Sequence, residues 1–328
     1  MKNGLVISLD FELFWGSTDT MVISAKQVEK YRSTRKAIPK LLKLFTKYNI
    51  SCTWSTVGFL FARDQNEIFE LYSDSTPNYK DKNLSTYERL KLIDARYNDC
   101  YFAPNLIQEI LDTSNQELST HTFSHYFAID AQGDEKAFAE ELRKAQLISK
   151  VNFNTKLKSI VYPRNQICNT DILASHDIFV YRGDSVSKAK AYQRGTTLQG
   201  RNKWNRLYRL ADRYFPFTRD LDFDINEVQS QDGVINVPAS RFLAPMISKL
   251  SWLENVRLAR IKKEMTSAAI NSKSYHLWWH PHNMAYNSDL YLSFLEKILI
   301  HFEDLSSKYN WHSYSMASIK NSGNENTR

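Results

Sequence analysis

Two histidines stand four residues apart in the segment STHTFSHYF, at His121 and His125. The chain has only eight histidines, so a pair in one short window needs an explanation. In a helix, residues at this spacing share a face, and two imidazole nitrogens on one face can bind one metal ion. Taken alone, the spacing is more often found where histidines only satisfy hydrogen bonds. The neighbouring motifs must therefore decide.

Two carboxylates follow an apolar run in ISLDFELFW, at Asp10 and Glu12. At i and i+2 of a strand, both side chains project from the same face at its end. One carboxylate could complete a site of two histidines and one carboxylate, and the other could move a proton to or from a metal-bound water. A solvated strand end that caps a helix is the alternative, but the apolar flanks favour a lined pocket.

Apolar runs and amphipathic segments alternate along the chain, which predicts parallel βα units. The predicted strands include LVISL, ISCTWSTVGFLF, QELST, LKSIVY, DIFVY, GVINV and SYHLWW, and the clearest predicted helices span about 28–48, 103–114, 134–151 and 290–309. Polar clusters follow these strands, as in βα barrels, which gather their chemistry at the carboxyl ends of the strands. An open, doubly wound sheet remains an alternative, because periodicity does not report closure.

The ordered motifs SLDFE, STHTFSH, YPRNQ and LWWHPH resemble the polysaccharide deacetylase family of metal-dependent carbohydrate esterases, which carry the chitooligosaccharide-deacetylase homology domain. The resemblance covers about residues 5–181 and 275–284. It implies an α/β fold in the form of a distorted βα barrel. Members of this family remove N- or O-acyl groups from sugars. It predicts one catalytic domain over 1–318 with a basic insertion at about 187–232, and we expect a disordered tail over 319–328.

The resemblance also assigns roles by position. It makes Asp10 the catalytic base, Arg164 the arginine that holds this base, and His280 the general acid. The implied metal ligands are Glu12, His121 and His125. The family's usual adjacent Asp-Asp pair is interrupted here by Phe11, so which carboxylate binds the metal stays open.

Further residues are candidates for substrate binding. The backbone N–H of Asn165 could hold an oxyanion, Trp279 or its neighbour could form an apolar wall for an acyl methyl group, and His282 could replace His280 as the acid. Arg182 and Arg241 each follow a strand and could contact substrate, although both could equally be salt-bridge partners.

The resemblance implies a divalent metal, expected to be zinc, that activates water and polarises an amide carbonyl. The implied reaction removes an N-acetyl group from an amino sugar. The alternatives are a deformylase or another hydrolase of non-peptide C–N bonds, and a non-catalytic carbohydrate-binding protein with the same fold.

Charge and composition narrow the partners. The net charge of +7 favours an anionic partner, and the segment GRNKWNRLYRLADRY places Arg206, Arg209 and Arg213 near helical spacing. Such a helix could bind a pyrophosphate or lie on anionic lipid headgroups, or be a solvated helix packed by its leucines. No nucleic-acid motif accompanies the charge.

Three scattered cysteines and no signal-peptide pattern favour a cytoplasmic protein, so we expect a nucleotide- or lipid-linked sugar in surface glycan synthesis, with possible peripheral membrane contact.

Overall fold

The computed structural model describes residues 3–72, 75–187, 189, 192, 202–228, 230–231 and 233–321. Its strands are β1 (Gly4–Phe11), β2 (Cys52–Thr56), β3 (Gln116–Thr120), β4 (Ser159–Val161), β5 (Val180–Ser185), β6 (Ser230–Gln231), β7 (Val234–Ala239), β8 (Arg241–Phe242), β9 (Tyr275–Trp279) and β10 (His312–Tyr314). Its α-helices are α1 (Ala25–Lys47), α2 (Gln65–Tyr72), α3 (Thr86–Leu90), α4 (Pro104–Asp112), α5 (Glu135–Phe153), α6 (Lys203–Ala211), α7 (Glu254–Ile270), α8 (Ser288–Tyr309) and α9 (Met316–Asn321).

The sheet closes into a distorted βα barrel. Strands β1 to β5, β7, β8 and β9 pair with one another in parallel, in the order β7-β5-β4-β3-β2-β1-β9-β8. Only Ser240 separates β7, which pairs with β5, from β8, which pairs with β9, and its N–H donates to the carbonyl of His276 in β9 at 3.0 Å. The predicted α/β barrel is therefore confirmed, and the open sheet is wrong.

Strand β1 shows how the sequence divides between the outer core and the barrel interior. All eight of its residues are buried, since helices cover one face and the barrel interior lies on the other. Leu5, Ile7 and Leu9 belong to the core cluster that α1 and α8 share, whereas Ser8 and Asp10 alternate with them. Polar side chains of β1 are thus directed into the barrel.

The predicted helices are found within three residues of their expected bounds. The insertion expected at about 187–232 contributes α6 and β6, and its residues 188, 190–191, 193–201, 229 and 232 lie outside the described residues. Helix α9 takes in the first three residues of the segment expected to be a disordered tail, and 322–328 lie outside the described residues. None of the described helices has the length and apolar character needed to cross a bilayer.

Candidate active site

The chemistry-bearing residues meet at the carboxyl ends of the parallel strands. Asp10 and Glu12 lie at the end of β1, His121 directly follows β3, and His280 directly follows β9. Arg182 lies within β5. In a βα barrel this edge is where loops from different parts of the chain converge, so residues 270 positions apart can share one pocket.

Glu12 is the centre of the cluster. One of its carboxylate oxygens, Oε1, lies 3.2 Å from Nε2 of His121 and 3.3 Å from Nε2 of His125. All three side chains are buried. Burial would raise the pKa of Glu12, but the charge of His280 and the contacts with His121 and His125 hold it well below its ordinary value. Glu12 therefore presents an ionised oxygen to two imidazole nitrogens.

The donor set fits a divalent metal ion. Nδ1 of His121 lies 2.7 Å from the carbonyl of Val161, which can only accept, so this nitrogen carries the proton. In a neutral ring, Nε2 then turns a lone pair toward Glu12, and two electron-rich atoms repel unless a cation lies between them. Burial also lowers the pKa of His125, which disfavours its protonation. Two histidines with one carboxylate are a common ligand set for zinc and other divalent metals.

His121 and His125 lie in a loop and not in a helix. The two rings therefore do not meet because of helical spacing. His125 and Thr122 both have positive φ, at 59° and 58°. The loop is bound on one side by the residues after β2, where the N–H groups of Gly58 and Phe59 donate to the carbonyls of Thr122 and Phe123. These bonds continue the sheet pairing past the strand ends and fix the ring positions.

A buried glutamate of α5 holds the other side of this loop. Glu141 accepts hydrogen bonds at 2.7 Å from both the backbone N–H and the hydroxyl of Ser124, which precedes His125. Burial outweighs these bonds and raises the pKa of Glu141 to about 7. Nothing in the sequence pattern distinguishes this residue, because one glutamate in an amphipathic helix looks like any other.

Gly16 makes room for the Glu12 carboxylate. A Cβ atom at position 16 would lie 1.8 Å from Oε2 of Glu12, well inside van der Waals contact. Only a residue without a side chain lets the 3-10 turn after β1 pass so close beneath this carboxylate.

The base candidate is held by a different arginine from the one expected. Arg182 donates to both carboxylate oxygens of Asp10, at 2.6 and 2.9 Å, and is itself fully buried. Arg164 instead donates to both oxygens of Asp19 at 2.7 Å and lies over the ring of Phe127. The predicted pairing of Arg164 with Asp10 is therefore wrong, because Arg182 occupies both oxygens of Asp10 and Arg164 pairs with Asp19.

Arg182 was expected to contact substrate, and its position gives it the role predicted for Arg164. Burial alone would raise the pKa of Asp10, but the charge and hydrogen bonds of Arg182 hold it below its ordinary value. The guanidinium also donates to the side-chain oxygen of Asn165 at 3.2 Å and lies 4.1 Å from the ring centre of Trp278. An arginine buried in an apolar strand needs a carboxylate partner, so Arg182 in the segment VYRGD could have been predicted to form a buried ion pair.

A second layer supports the arginine. Ser8 accepts a hydrogen bond from Arg182 at 3.2 Å and lies 2.9 Å from Nε2 of His276. The other ring nitrogen of His276 donates to the carbonyl of Pro238, and burial lowers the pKa of this histidine to about 3. His276 is therefore neutral and accepts from the Ser8 hydroxyl. Sequence analysis missed this residue, which shares a strand face with His280.

His280 is the histidine that faces the carboxylates. Its Nε2 lies 3.5 Å from Glu12 and 3.7 Å from Asp10. Burial would lower its pKa, but the two carboxylates outweigh this and raise it. His282 stacks on His280 at 4.9 Å between ring centres, and burial holds the pKa of His282 well below its ordinary value. Of the two, His280 is the one suited to give up a proton near neutral pH.

The aromatic wall is formed by Trp278 and not by Trp279. Trp279 is fully buried in the core and contacts Phe45 of α1 edge to face. Trp278 lines a cavity of about 260 Å³ together with Phe242 and His280. Successive residues of a strand face opposite sides of the sheet, so only one of the two tryptophans can reach the barrel interior. The predicted contact of Trp279 with substrate is wrong.

The same cavity has a cationic wall. Arg209 of α6 and Arg213 line it, as do Asn165 and Arg241. Arg241 is buried and donates to both carboxylate oxygens of Glu264, at 2.6 and 2.7 Å, so its expected role as a free substrate contact is not supported by the geometry.

The comparisons with known proteins agree with this architecture. No protein-family model and no curated protein matches the sequence. Among solved structures, a protein from Mycobacterium smegmatis assigned as a polysaccharide deacetylase matches with 10% identity and a TM-score of 0.55, over 98% of this chain and 91% of that one. A branching enzyme from Pyrococcus horikoshii matches with 11% identity and a TM-score of 0.54, over 100% and 71% of the two chains.

A third solved structure, the α-amylase AmyC from Thermotoga maritima, has 12% identity and a TM-score of 0.51, over 98% of this chain and 75% of that one. The chain therefore has the polysaccharide deacetylase fold that its motifs predicted. Enzymes with different chemistries share this fold, so the site residues must identify the reaction.

Proposed function

We propose that this protein is a metal-dependent hydrolase that removes an N-acetyl group from an amino sugar. One observation carries the proposal: Glu12, His121 and His125 bring three metal-ligating atoms together beside Asp10 and His280. A divalent ion bound there, which we expect to be zinc, would lower the pKa of a water and polarise the amide carbonyl. Asp10 and His280 then supply the proton transfers.

The residues fit the two halves of amide hydrolysis. Asp10, kept ionised by Arg182, takes one proton from the attacking water, whose oxygen forms a bond to the carbonyl carbon. His280, whose pKa is raised, gives a proton to the sugar nitrogen as the C–N bond breaks, and acetate and the free amine are the products. Arg182 also donates to Asn165, which fixes the arginine that holds Asp10, and His280 lies 3.7 Å from the Asp10 carboxylate on the neighbouring wall.

The site favours this reaction over glycoside chemistry, which enzymes of the same fold carry out. Glycoside hydrolysis uses two carboxyl groups on opposite sides of the scissile bond and needs no histidine cluster. Here Asp10 is bound by a buried arginine and Glu12 by two histidines, so neither is left as a free partner. Deformylation would use the same residues and remains the second candidate, since Trp278 offers apolar surface to either acyl group.

We further propose that the sugar carries a phosphate. Arg213 is half-buried in the wall of the cavity, and no described residue forms a hydrogen bond or ion pair with its guanidinium. Burial and the nearby charge of Arg257 lower its pKa, and they outweigh the opposing effect of Glu254. An anionic substrate group would supply what the protein does not.

Among the described residues that line this cavity, the single carboxylate has its charge compensated. Asp212 accepts from Thr218 and Tyr192 and lies 3.3 Å from Arg260 and 4.0 Å from Arg241. The cavity wall is therefore positive on balance, as a nucleotide- or lipid-linked sugar phosphate would require. Such carriers are used in the cytoplasm during surface glycan synthesis, which is the setting we propose.

The test measures bound metal and acetate release together. Purified protein is compared with the His121→Ala/His125→Ala variant by elemental analysis, and both are assayed on UDP-linked N-acetylated sugars. Stoichiometric metal that is lost in the variant, with acetate release only by the parent protein, supports the proposal. A parent protein that binds no metal under metal-replete conditions, or that releases acetate equally well as the variant, would refute it.

A further inference from the structure

The outer face of α6 is both apolar and basic, which is unusual for a solvated helix. None of its described residues is buried, yet Trp204 is 77% exposed and Leu207 is 56% exposed. Lys203 and Arg206 are exposed beside them. Two surface leucines would need no explanation, but an exposed tryptophan flanked by cations is a pattern that soluble surfaces avoid.

Apolar exposure continues in the segments next to this helix. Phe215 and Phe217 stack on each other at 6.2 Å between ring centres and are 54% and 56% exposed. Phe217 also contacts Tyr208 of α6, at 5.6 Å between ring centres. Leu207 and Leu210 line a surface groove together with Ile247. We define the α6 patch as Lys203, Trp204, Arg206, Leu207, Phe215 and Phe217.

The groove and the catalytic cavity share two residues. Arg209 and Arg213 line the cavity that contains His280, and they also line the groove with Lys203 and Arg206. A ligand with its phosphate at these two arginines would therefore have the cavity on one side and the apolar groove on the other.

We propose that the α6 patch docks on an anionic lipid bilayer. Tryptophan and phenylalanine side chains at headgroup level, with lysine and arginine among them, are the features by which a surface helix binds an interface without spanning it. The patch carries cations and the whole chain has a net charge of +7, so charge complementarity favours anionic headgroups over a second copy of this basic chain.

A consequence follows for the substrate, and this part rests on the proposed function. A docked α6 places Arg209 and Arg213 close to headgroup level, so the phosphate they bind belongs to a lipid carrier and not to a soluble nucleotide. The lipid tail would leave along Leu207, Leu210 and Ile247, and the sugar would enter the cavity toward His280.

The experiment measures sedimentation of the full chain with vesicles of phosphatidylcholine, with and without phosphatidylglycerol. The parent protein should bind the mixed vesicles and lose binding as salt is raised. The Lys203→Glu/Arg206→Glu variant should bind at least about tenfold less tightly, since it replaces two cations that an anionic surface attracts with two anions that it repels. The matched control, Lys43→Glu/Lys136→Glu, changes the net charge equally on other helices and should bind more tightly than the patch variant.

A second pair of variants tests the apolar part. Trp204→Ser/Leu207→Ser should reduce vesicle binding, whereas Leu92→Ser/Val151→Ser, at positions that are 75% and 61% exposed elsewhere, should not. Circular dichroism checks that each variant is folded. Equal losses in the patch and control variants, or no vesicle binding by the parent protein, would overturn the proposal. So would a parent dimer that the patch variants dissociate.

The outcome is separable from the proposed deacetylase activity. The Asp10→Asn variant should bind vesicles as the parent does, because Asp10 is buried and its hydrogen bonds go to Arg182, which is not part of the patch. Vesicle binding without acetate release from any substrate would keep the docking surface and refute the enzyme. Acetate release from a soluble nucleotide sugar with no vesicle binding would do the reverse.

Discussion

Arg182 and Asp10 form a fully buried, two-point ion pair between β5 and β1 across the barrel. Replacing Arg182 with lysine removes the second hydrogen bond and leaves a buried carboxylate less compensated. Because Arg182 lowers the pKa of Asp10, the acidic limb of the kcat/KM profile should move to higher pH by about one unit or more. Arg164→Lys, which disturbs only the pair with Asp19, should leave this limb in place. A shift in both variants, or in Arg164→Lys alone, would restore the original assignment.

The roles of His280 and His282 can be distinguished by comparing substrates with different leaving groups. An amide nitrogen must be protonated to depart, whereas the phenolate of p-nitrophenyl acetate leaves without an acid. His280→Gln should therefore lose at least about a hundredfold in kcat on an N-acetylated sugar while keeping most of its activity on the ester. His282→Gln should change both rates by a similar, smaller factor. Parallel losses on the two substrates in His280→Gln would show that this histidine does not act as the acid.

Gly16→Ala should weaken metal affinity more than it lowers the stability of the fold. The new methyl group would meet the Glu12 carboxylate and displace it from the two histidines. Removing one ligand of a three-residue site typically costs at least as much as losing a supporting residue, about 10- to 100-fold in metal affinity. The measurement is competitive titration against a chelating dye. Gly133→Asn, where no atom lies within 4 Å of the added Cβ, is the control and should bind metal as the parent does.

Glu141 should make the protein less stable as pH rises. Burial raises its pKa in the folded state from 4.5 to about 7, so the folded protein holds a proton that the unfolded chain releases between these values. The free energy of unfolding therefore falls across this interval, by an amount on the order of 3 kcal/mol at most. Glu141→Gln keeps an acceptor and a donor for Ser124 and does not titrate.

Urea unfolding of the parent protein and Glu141→Gln across this pH interval isolates the effect, because other titrating groups cancel in the difference. The difference in stability should increasingly favour the glutamine variant as pH rises. A difference that is constant with pH would mean that Glu141 has the same pKa in both states.

Arg213→Gln should separate binding from catalysis. The residue lines the cavity but lies away from the reacting groups, so KM for a phosphate-linked substrate should rise about tenfold or more while kcat changes little. A neutral N-acetylated oligosaccharide should show no such change. If KM rises equally for the charged and neutral substrates, the cationic wall does not recognise phosphate.

The sequence predicted the fold well because the motifs and the βα order are local. Strand β1 and the loop with His121 and His125 can each be recognised within a dozen residues. The pairing of Arg182 with Asp10 could not, since it joins positions 172 apart in sequence.

The two tryptophans show a different limit. In YHLWW every residue is apolar or aromatic except His276, so the pattern alone does not tell which face is which. The position of His280 identifies the inward face, because Trp278 lies two residues before this site histidine and shares its face of the strand. In a fully buried strand, an even spacing from a known site residue therefore predicts which side chains face the site better than hydrophobicity does.

The barrel closes only when the first and last parts of the chain meet. Strand β9 pairs along β1 from Leu5 to Leu9, and β10 pairs with the beginning of β1. Such long-range pairing makes folding slow, and His280 can reach Glu12 only after β9 has been made. A chain released before residue 275 has been made would carry all three metal-ligating side chains but no acid. Metal-dependent turnover, unlike metal uptake, would therefore report completion of the chain, and it offers a direct readout of folding during synthesis.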